Sequence, residues 1–236
     1  MRTTITTAPR RMLALAAIAA VLAALFTAAS GAGPAPARAA SGASSPMASG
    51  PVAVLTTKAV VFHDAMRSLW QVHGTYTERA IVDYVGGLPD ATDVIAHLQQ
   101  NQVDIGNAIK PYYGSKAGDE LTALLHQHIS DAVNCVVAAK AGDTAKLTAA
   151  EKAFYANGNQ IAVFLHTANP RNWSLAAMKS MMKTHLNQVL GLAVDQLKGD
   201  YQAAITLYSA YIDHLQVGMA DMLSNGIIKQ FPAKFR

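Results

Sequence analysis

Residues 101–114 read NQVDIGNAIKPYYG. With Leu98 just before them, Gln102, Ile105 and Ile109 fall about one helical turn apart on a single stripe, while Asn101, Asp104 and Ala108 fall on the stripe beside it. Asp90, after Pro89, is a fitting N-cap, and Pro111 cannot continue the hydrogen-bond ladder, so the pattern predicts a helix from Asp90 to about Lys110. Asn101, Gln102, Asp104, Asn107 and Lys110 crowd into ten positions of that helix. Either they form a solvated face, or some of them build a polar site inside a bundle.

The flanking segments have the same helical character. An irregular apolar stripe (Val60, Val61, Met66, Leu69, Trp70, His73, Ile81, Tyr84) predicts a helix from Thr57 to about Val85, closed by Gly86-Gly87. Gly74 is a candidate bend, and Thr75 with Glu78 forms a capping box that would make two shorter helices the alternative. A third helix covers about Ala117 to Ala141 and ends at Gly142. Asp143 or Thr144 caps a fourth, which stops before Asn169-Pro170, and Ser174 caps a fifth. Gly199-Asp200 either kinks the fifth or starts a sixth, which runs to about Asn225-Gly226. No stretch alternates with strand periodicity between hairpin signals. The expected fold is all-α: an antiparallel helical bundle of four to six helices with short links.

The N-terminal residues read differently. Arg2, Arg10 and Arg11 precede an apolar run at residues 13–26, and Ala37-Arg38-Ala39 offers a small-x-small cleavage site. This layout predicts a signal peptide over 1–39, with an apolar run short for a bilayer span, a flexible Ala/Ser/Gly/Pro linker over 40–55 and a bundle domain over 56–236. The protein is therefore expected to be secreted or held at the cell envelope, with no transmembrane domain after leader removal. The net charge of +4 belongs to the leader: four of the 19 Lys and Arg lie there with no acid, leaving 15 basic against 15 acidic residues. A neutral mature domain gives no basis for a nucleic-acid partner. The single cysteine, Cys135, excludes an internal disulfide, and its apolar helical setting predicts a buried, inert thiol.

Nucleotide loops, the nucleophile elbow GxSxG and the zinc motif HExxH are all absent. Glu78, Glu120 and Glu151 are the only glutamates and none is followed three residues later by His, which argues against a ferritin-like di-iron centre. No cofactor is identified. Three histidines stand in apolar contexts: His73 in LWQVH, His128 in LLHQHI and His185 in MMKTHL. If they face inward from three helices, they are candidate metal ligands, and Asp131, one turn from His128, suits a shared ligand or a tautomer-fixing bond. Met178, Met181 or Met182, and Met219 with Met222, make thioether stripes that suit copper or haem iron, or simply core packing. A buried Asp104 would need a cation, for which Arg79 is the candidate.

The series LWQVH, TYTER, LPD, NQVDIGNAIKPYYG, LTALLHQHI, FYANGNQIAVFL, ANPRNW, MMKTHL and MADMLSNGIIKQFP resembles a family of bacterial helical-bundle proteins of uncharacterised function, over residues 65–235. Some relatives carry glycosyltransferase or acetylglutamate kinase labels; both activities belong to α/β folds with nucleotide sites, and no such signature exists in this chain. The resemblance implies a recurrent polar set: His73, Thr77, Arg79, Asn101, Asp104, Tyr113, His128, Asn157 and His185. Tyr76 departs from the Trp more usual in the family. These residues lead to three functional expectations. The first is a non-enzymatic binding or structural module with an internal polar network, taking a small ligand or an envelope partner. The second is a metal-binding (Cu, Fe or Zn) bundle using His73, His128 and His185, together with an acid, Asp104. The third is an enzyme with Asp104 or a histidine as general base and Arg79 as anion clamp.

Overall fold

Most helix ends that the sequence marks with a capping residue or a glycine are helix ends in the computed structural model, which describes residues 56–236. The exceptions are Thr75 and Glu78, inside an unbroken first helix, and Asn225-Gly226, inside the last one. The helices are α1 (Thr57–Gly86), α2 (Ala91–Tyr113), α3 (Ser115–Ala141), α4 (Thr144–Ala168), α5 (Leu175–Lys198) and α6 (Tyr201–Asp213). The chain then passes without a break through a π-helical segment (His214–Asp221) into α7 (Met222–Gln230), so these three pieces make one long sixth helix, followed by a 3₁₀ turn (Pro232–Phe235). Among the described residues there is no strand, and no helix is long and apolar enough to cross a membrane. The expected leader and linker lie outside the described residues.

Local chemistry explains the punctuation. Asp143, Ser174 and Asp200 each accept a hydrogen bond from the backbone N–H three residues on, which satisfies an otherwise orphaned donor. Gly142 and Gly199 close α3 and α5 in the left-handed conformation, at φ 71° and 73°, where a side chain would be strained. Two further details differ from the sequence reading. Pro111 does not stop α2, because it sits in the last turn, and the helix runs on to Tyr113. Gly74 does not bend α1: it is a point of close approach, where a Cβ would come within 2.6 Å of Ile212 and Leu215.

Links of one to six residues fold the successive helices back on one another, and the π segment returns to α1, closing the ring. Residues 57–236 form one unit around a core that includes Met66, Trp70, Ile105, Phe154, Trp173, Leu186, Tyr211 and Leu215. Gly106, inside the NQVDIG stretch, faces Gly118 where α2 crosses α3; a Cβ on either would come within 2.7 Å of the other's carbonyl oxygen. That crossing positions the buried face of α2, and with it Asn101 and Gln102.

Candidate functional site

The interior polar groups are organised by one arrangement that occurs twice. Leu69 on α1 and Leu124 on α3 each stand four residues before a buried histidine, His73 and His128. Asn101 Nδ2 donates to the Leu69 carbonyl at 3.1 Å, and Asn157 Nδ2 donates to the Leu124 carbonyl at 3.0 Å. Each amide thus clasps its helix to the neighbouring one through the spare lone pair of a helical carbonyl. Asn157 Oδ1 then accepts from His128 Nδ1 at 2.9 Å, which places that ring's proton on Nδ1. On the α1 side Gln102 Nε2 donates to Leu98 O at 2.8 Å and lies 3.2 Å from His73 Nδ1. An amide nitrogen only donates, so His73 Nδ1 accepts and its proton sits on Nε2. The two imidazoles are held as opposite tautomers.

His185, from α5, stands between them. Its ring centroid is 5.6 Å from that of His73 and 5.4 Å from that of His128, and it also faces Tyr211 at 5.5 Å and His214 at 6.3 Å. His73, His128 and His185 are all buried, at 1%, 3% and 2% exposure. Burial pushes His73 down to about 3 and His128 down to about 4 from the usual 6.5, and holds His185 well below it. Neighbouring imidazoles lower His73 and His185 further, and no carboxylate offsets the effect. The cluster is therefore neutral at pH 7. His185 Nδ1, the Tyr211 hydroxyl, Trp70 Nε1 and Gln102 Oε1 are buried without a hydrogen-bond partner. The three imidazoles, with Met66, Met182 and Met219, border an internal cavity of ≈ 30 Å³, room for about one or two waters and well short of an organic ligand.

The expectation that three histidines converge from three helices is met, but not as a ligand set. His185 meets its neighbours through ring faces, at interplanar angles of 38° and 27°. Among the described residues no group of three or more His, Cys, Asp or Glu side chains is placed to hold a metal ion. His73, His128 and His185 are packed aromatic partners here. Met178, Met181, Met182 and Met219 are buried in the core beside them.

The charged members of the expected set lie elsewhere. Asp104 is exposed and accepts from Gln100 Nε2 at 3.2 Å, one turn earlier on the same helix. Arg79 is half exposed and donates to Asp83 at 2.7 Å and to Asp90 at 2.6 Å. The anticipated Arg79–Asp104 pair does not form, because Arg79 already joins the end of α1 to the start of α2 and Asp104 stays in water. Asp131 is buried but accepts from Gln127, not from His128. Thr77 is buried and interacts with Tyr211 at the edge of the cluster. Cys135 is buried as anticipated, its thiol pushed up to about 12 by burial.

Tyr113 belongs to a second polar assembly, at one end of the bundle, where the distant segments PYYG, ANPRNW and GIIKQFP meet. Tyr113 OH donates to Gln230 Oε1 at 2.6 Å, and Gln230 Nε2 donates to Ala168 O at 3.0 Å. Asn169 Nδ2 donates to Gly226 O at 2.9 Å, Trp173 Nε1 donates to Met222 O at 3.3 Å, and Lys234 donates to Pro111 O. These bonds lock α7 to the ends of α2 and α4. Sequence reasoning missed that His214 and Tyr211 join the imidazole cluster; the π segment that begins at His214 has no signature in the apolar pattern.

Comparison of the chain with protein-family models, with curated proteins and with solved structures finds no match.

Proposed function

We propose that this protein is a non-enzymatic, exported helical-bundle module that acts as a binding or structural unit at the cell envelope, with its imidazole–amide centre fixing helix register. The observation that carries this reading is the repeated Asn clasp, which ties α1 to α2 and α3 to α4; Asn157 itself orients the neutral His128, and Gln102, next to Asn101, orients the neutral His73. The groups that acid–base catalysis would need as ions, Asp104 and Arg79, share no pocket with that centre. The cavity at the centre is too small to seat a substrate. Export is supported by the leader-like residues 1–39.

Asn157→Ala tests the reading. It leaves the His128 Nδ1–H buried without an acceptor and removes a clasp, which costs about 2–3 kcal/mol in urea unfolding. The reading fails if the variant keeps wild-type stability while a small molecule that co-purifies with the wild type in native mass spectrometry is lost. N-terminal sequencing of protein recovered from the envelope or medium tests export: a start near Ala40 supports it, and retention of Met1 contradicts it.

A further inference from the structure

The charges of the helical unit cancel in number but not in space. Because successive helices reverse direction, α1, α3 and α5 start at the end of the bundle where α2, α4 and α7 finish. Contacts across that end make it one surface: the rings of Phe62 and Phe235 lie 5.3 Å apart, those of Tyr113 and Trp173 lie 6.3 Å apart, and Lys234 donates to Pro111 O. Within about one helical turn of this end stand Lys58, Lys110, Lys116, Arg171, Lys229, Lys234 and Arg236, with no Asp or Glu among them. Lys110 is paired with Asp119 at 2.6 Å, and the other six are exposed. Of the acids in this half, Asp221 is held by Arg67 and His63, and Asp64, Asp104 and Glu120 are set back by more than a turn. The opposite end is acidic: Asp83, Asp90, Asp93, Asp143, Asp195 and Asp200 outnumber Lys140, Lys146 and Lys198 there, even with Arg79 bridging Asp83 and Asp90.

We propose that the basic end of the bundle is a docking face for an anionic lipid surface, on which the domain stands with its acidic end pointing away. This names the envelope partner of the module reading above and rests on that reading.

The two ends act together. Cations gathered in one plane add their attractions to a negatively charged surface, and the acidic far end is repelled by it, so the field both binds and orients a domain of zero net charge. Apolar surface stands among the cations: Val61 is 63% exposed, and Tyr112 and Phe231 are half-buried. Such side chains suit the boundary between headgroups and acyl chains. A nucleic acid would call for a stripe of cations that follows a phosphate backbone, whereas these are clustered on the end of a bundle.

Vesicle co-sedimentation of residues 40–236 tests the face; this chain keeps the whole 57–236 unit and omits the cationic leader, which would bind membranes by itself. The protein partitions onto vesicles of phosphatidylglycerol with phosphatidylcholine but not onto phosphatidylcholine alone, and the binding falls more than about tenfold between about 0.05 and 0.5 M salt. Lys116, Arg171 and Lys229 are exposed and lie outside the ion pairs of the described residues. Lys116→Gln, Arg171→Gln and Lys229→Gln combined lower the partition about a hundredfold, at about fivefold for each charge, with thermal melting unchanged. Lys146→Gln, Lys152→Gln and Lys198→Gln combined make the same change in net charge towards the other end and leave binding within about twofold. The proposal is overturned if phosphatidylcholine vesicles bind equally well, if the two triple variants weaken binding alike, or if an RNA oligonucleotide binds more tightly than the anionic vesicles. Failure on vesicles with an Ala40 start in the export test overturns the docking face alone, whereas retention of Met1 overturns the envelope reading beneath it.

Discussion

The centre of the bundle and its end are both built from amide, imidazole and aromatic side chains, yet they are finished differently. At the end, Asn169, Trp173, Tyr113 and Gln230 each reach a carbonyl oxygen, of the backbone or of a neighbouring amide. At the centre two clasps are complete, but His185 Nδ1 and the Tyr211 hydroxyl have nothing to bond. A fully satisfied assembly adds rigidity and responds little to solution conditions. A half-satisfied, titratable one is sensitive to them. The end holds the fold together, and the centre makes its stability depend on protons.

The largest expected effect separates the two regions directly. His73, His128 and His185 have folded-state pKa values below their unfolded value of about 6.5. The unfolded chain then binds more protons, so the stability these groups contribute is fully present above pH 6.5 and is lost as pH falls towards 4. Three such groups cost about 4 kcal/mol per pH unit below roughly pH 6. Urea midpoints between pH 7.5 and 5 read this slope, and a flat profile would refute it. Trp173→Ala leaves a void against Gly226 that also opens into the central cavity, costing about 3–5 kcal/mol at pH 7.5; a loss under about 1 kcal/mol would show that the end does not hold the fold together. Tyr113→Phe removes one bond of the end assembly and costs about 1 kcal/mol in the same assay. Asp104→Ala, on the water side of α2, changes stability by less than about 0.5 kcal/mol, and a loss of several kcal/mol would show that it has a buried partner.

The opening stretch shows how far a sequence can be read. Its helical stripe was legible, because Leu98, Ile105 and Ile109 repeat at a helix's period and are buried as that period requires. So was the inward turn of the three histidines, which stand in apolar contexts, whereas Asn101 lies between two glutamines on the stripe it shares with Asp104, and Asn157 was marked only by the resemblance. The exposure of Asp104 was not legible: it lies on the stripe beside the core, and the limit of that stripe is set by where α3 crosses, at Gly106 and Gly118. The partners of Arg79 were equally out of reach, since Asp83 and Asp90 compete with any distant acid only once the α1–α2 link has closed. The role of Tyr113 depends on α7, more than a hundred residues later in the chain. The π segment shifts the register of the sixth helix without changing its composition, so the approach of His214 to His185 is a product of packing alone.

The property that sets the behaviour of the whole interior is a neutral imidazole cluster held in fixed tautomers. Nitrogen-15 correlation spectra of the histidine side chains, followed from pH 8 to 5, measure it directly. The predicted result is that His73 remains the Nε2–H tautomer and His128 the Nδ1–H tautomer, with none of His73, His128 and His185 titrating until the chain unfolds. Smooth titration of these three rings near pH 6.5 in the folded protein, with averaged tautomers, would contradict it.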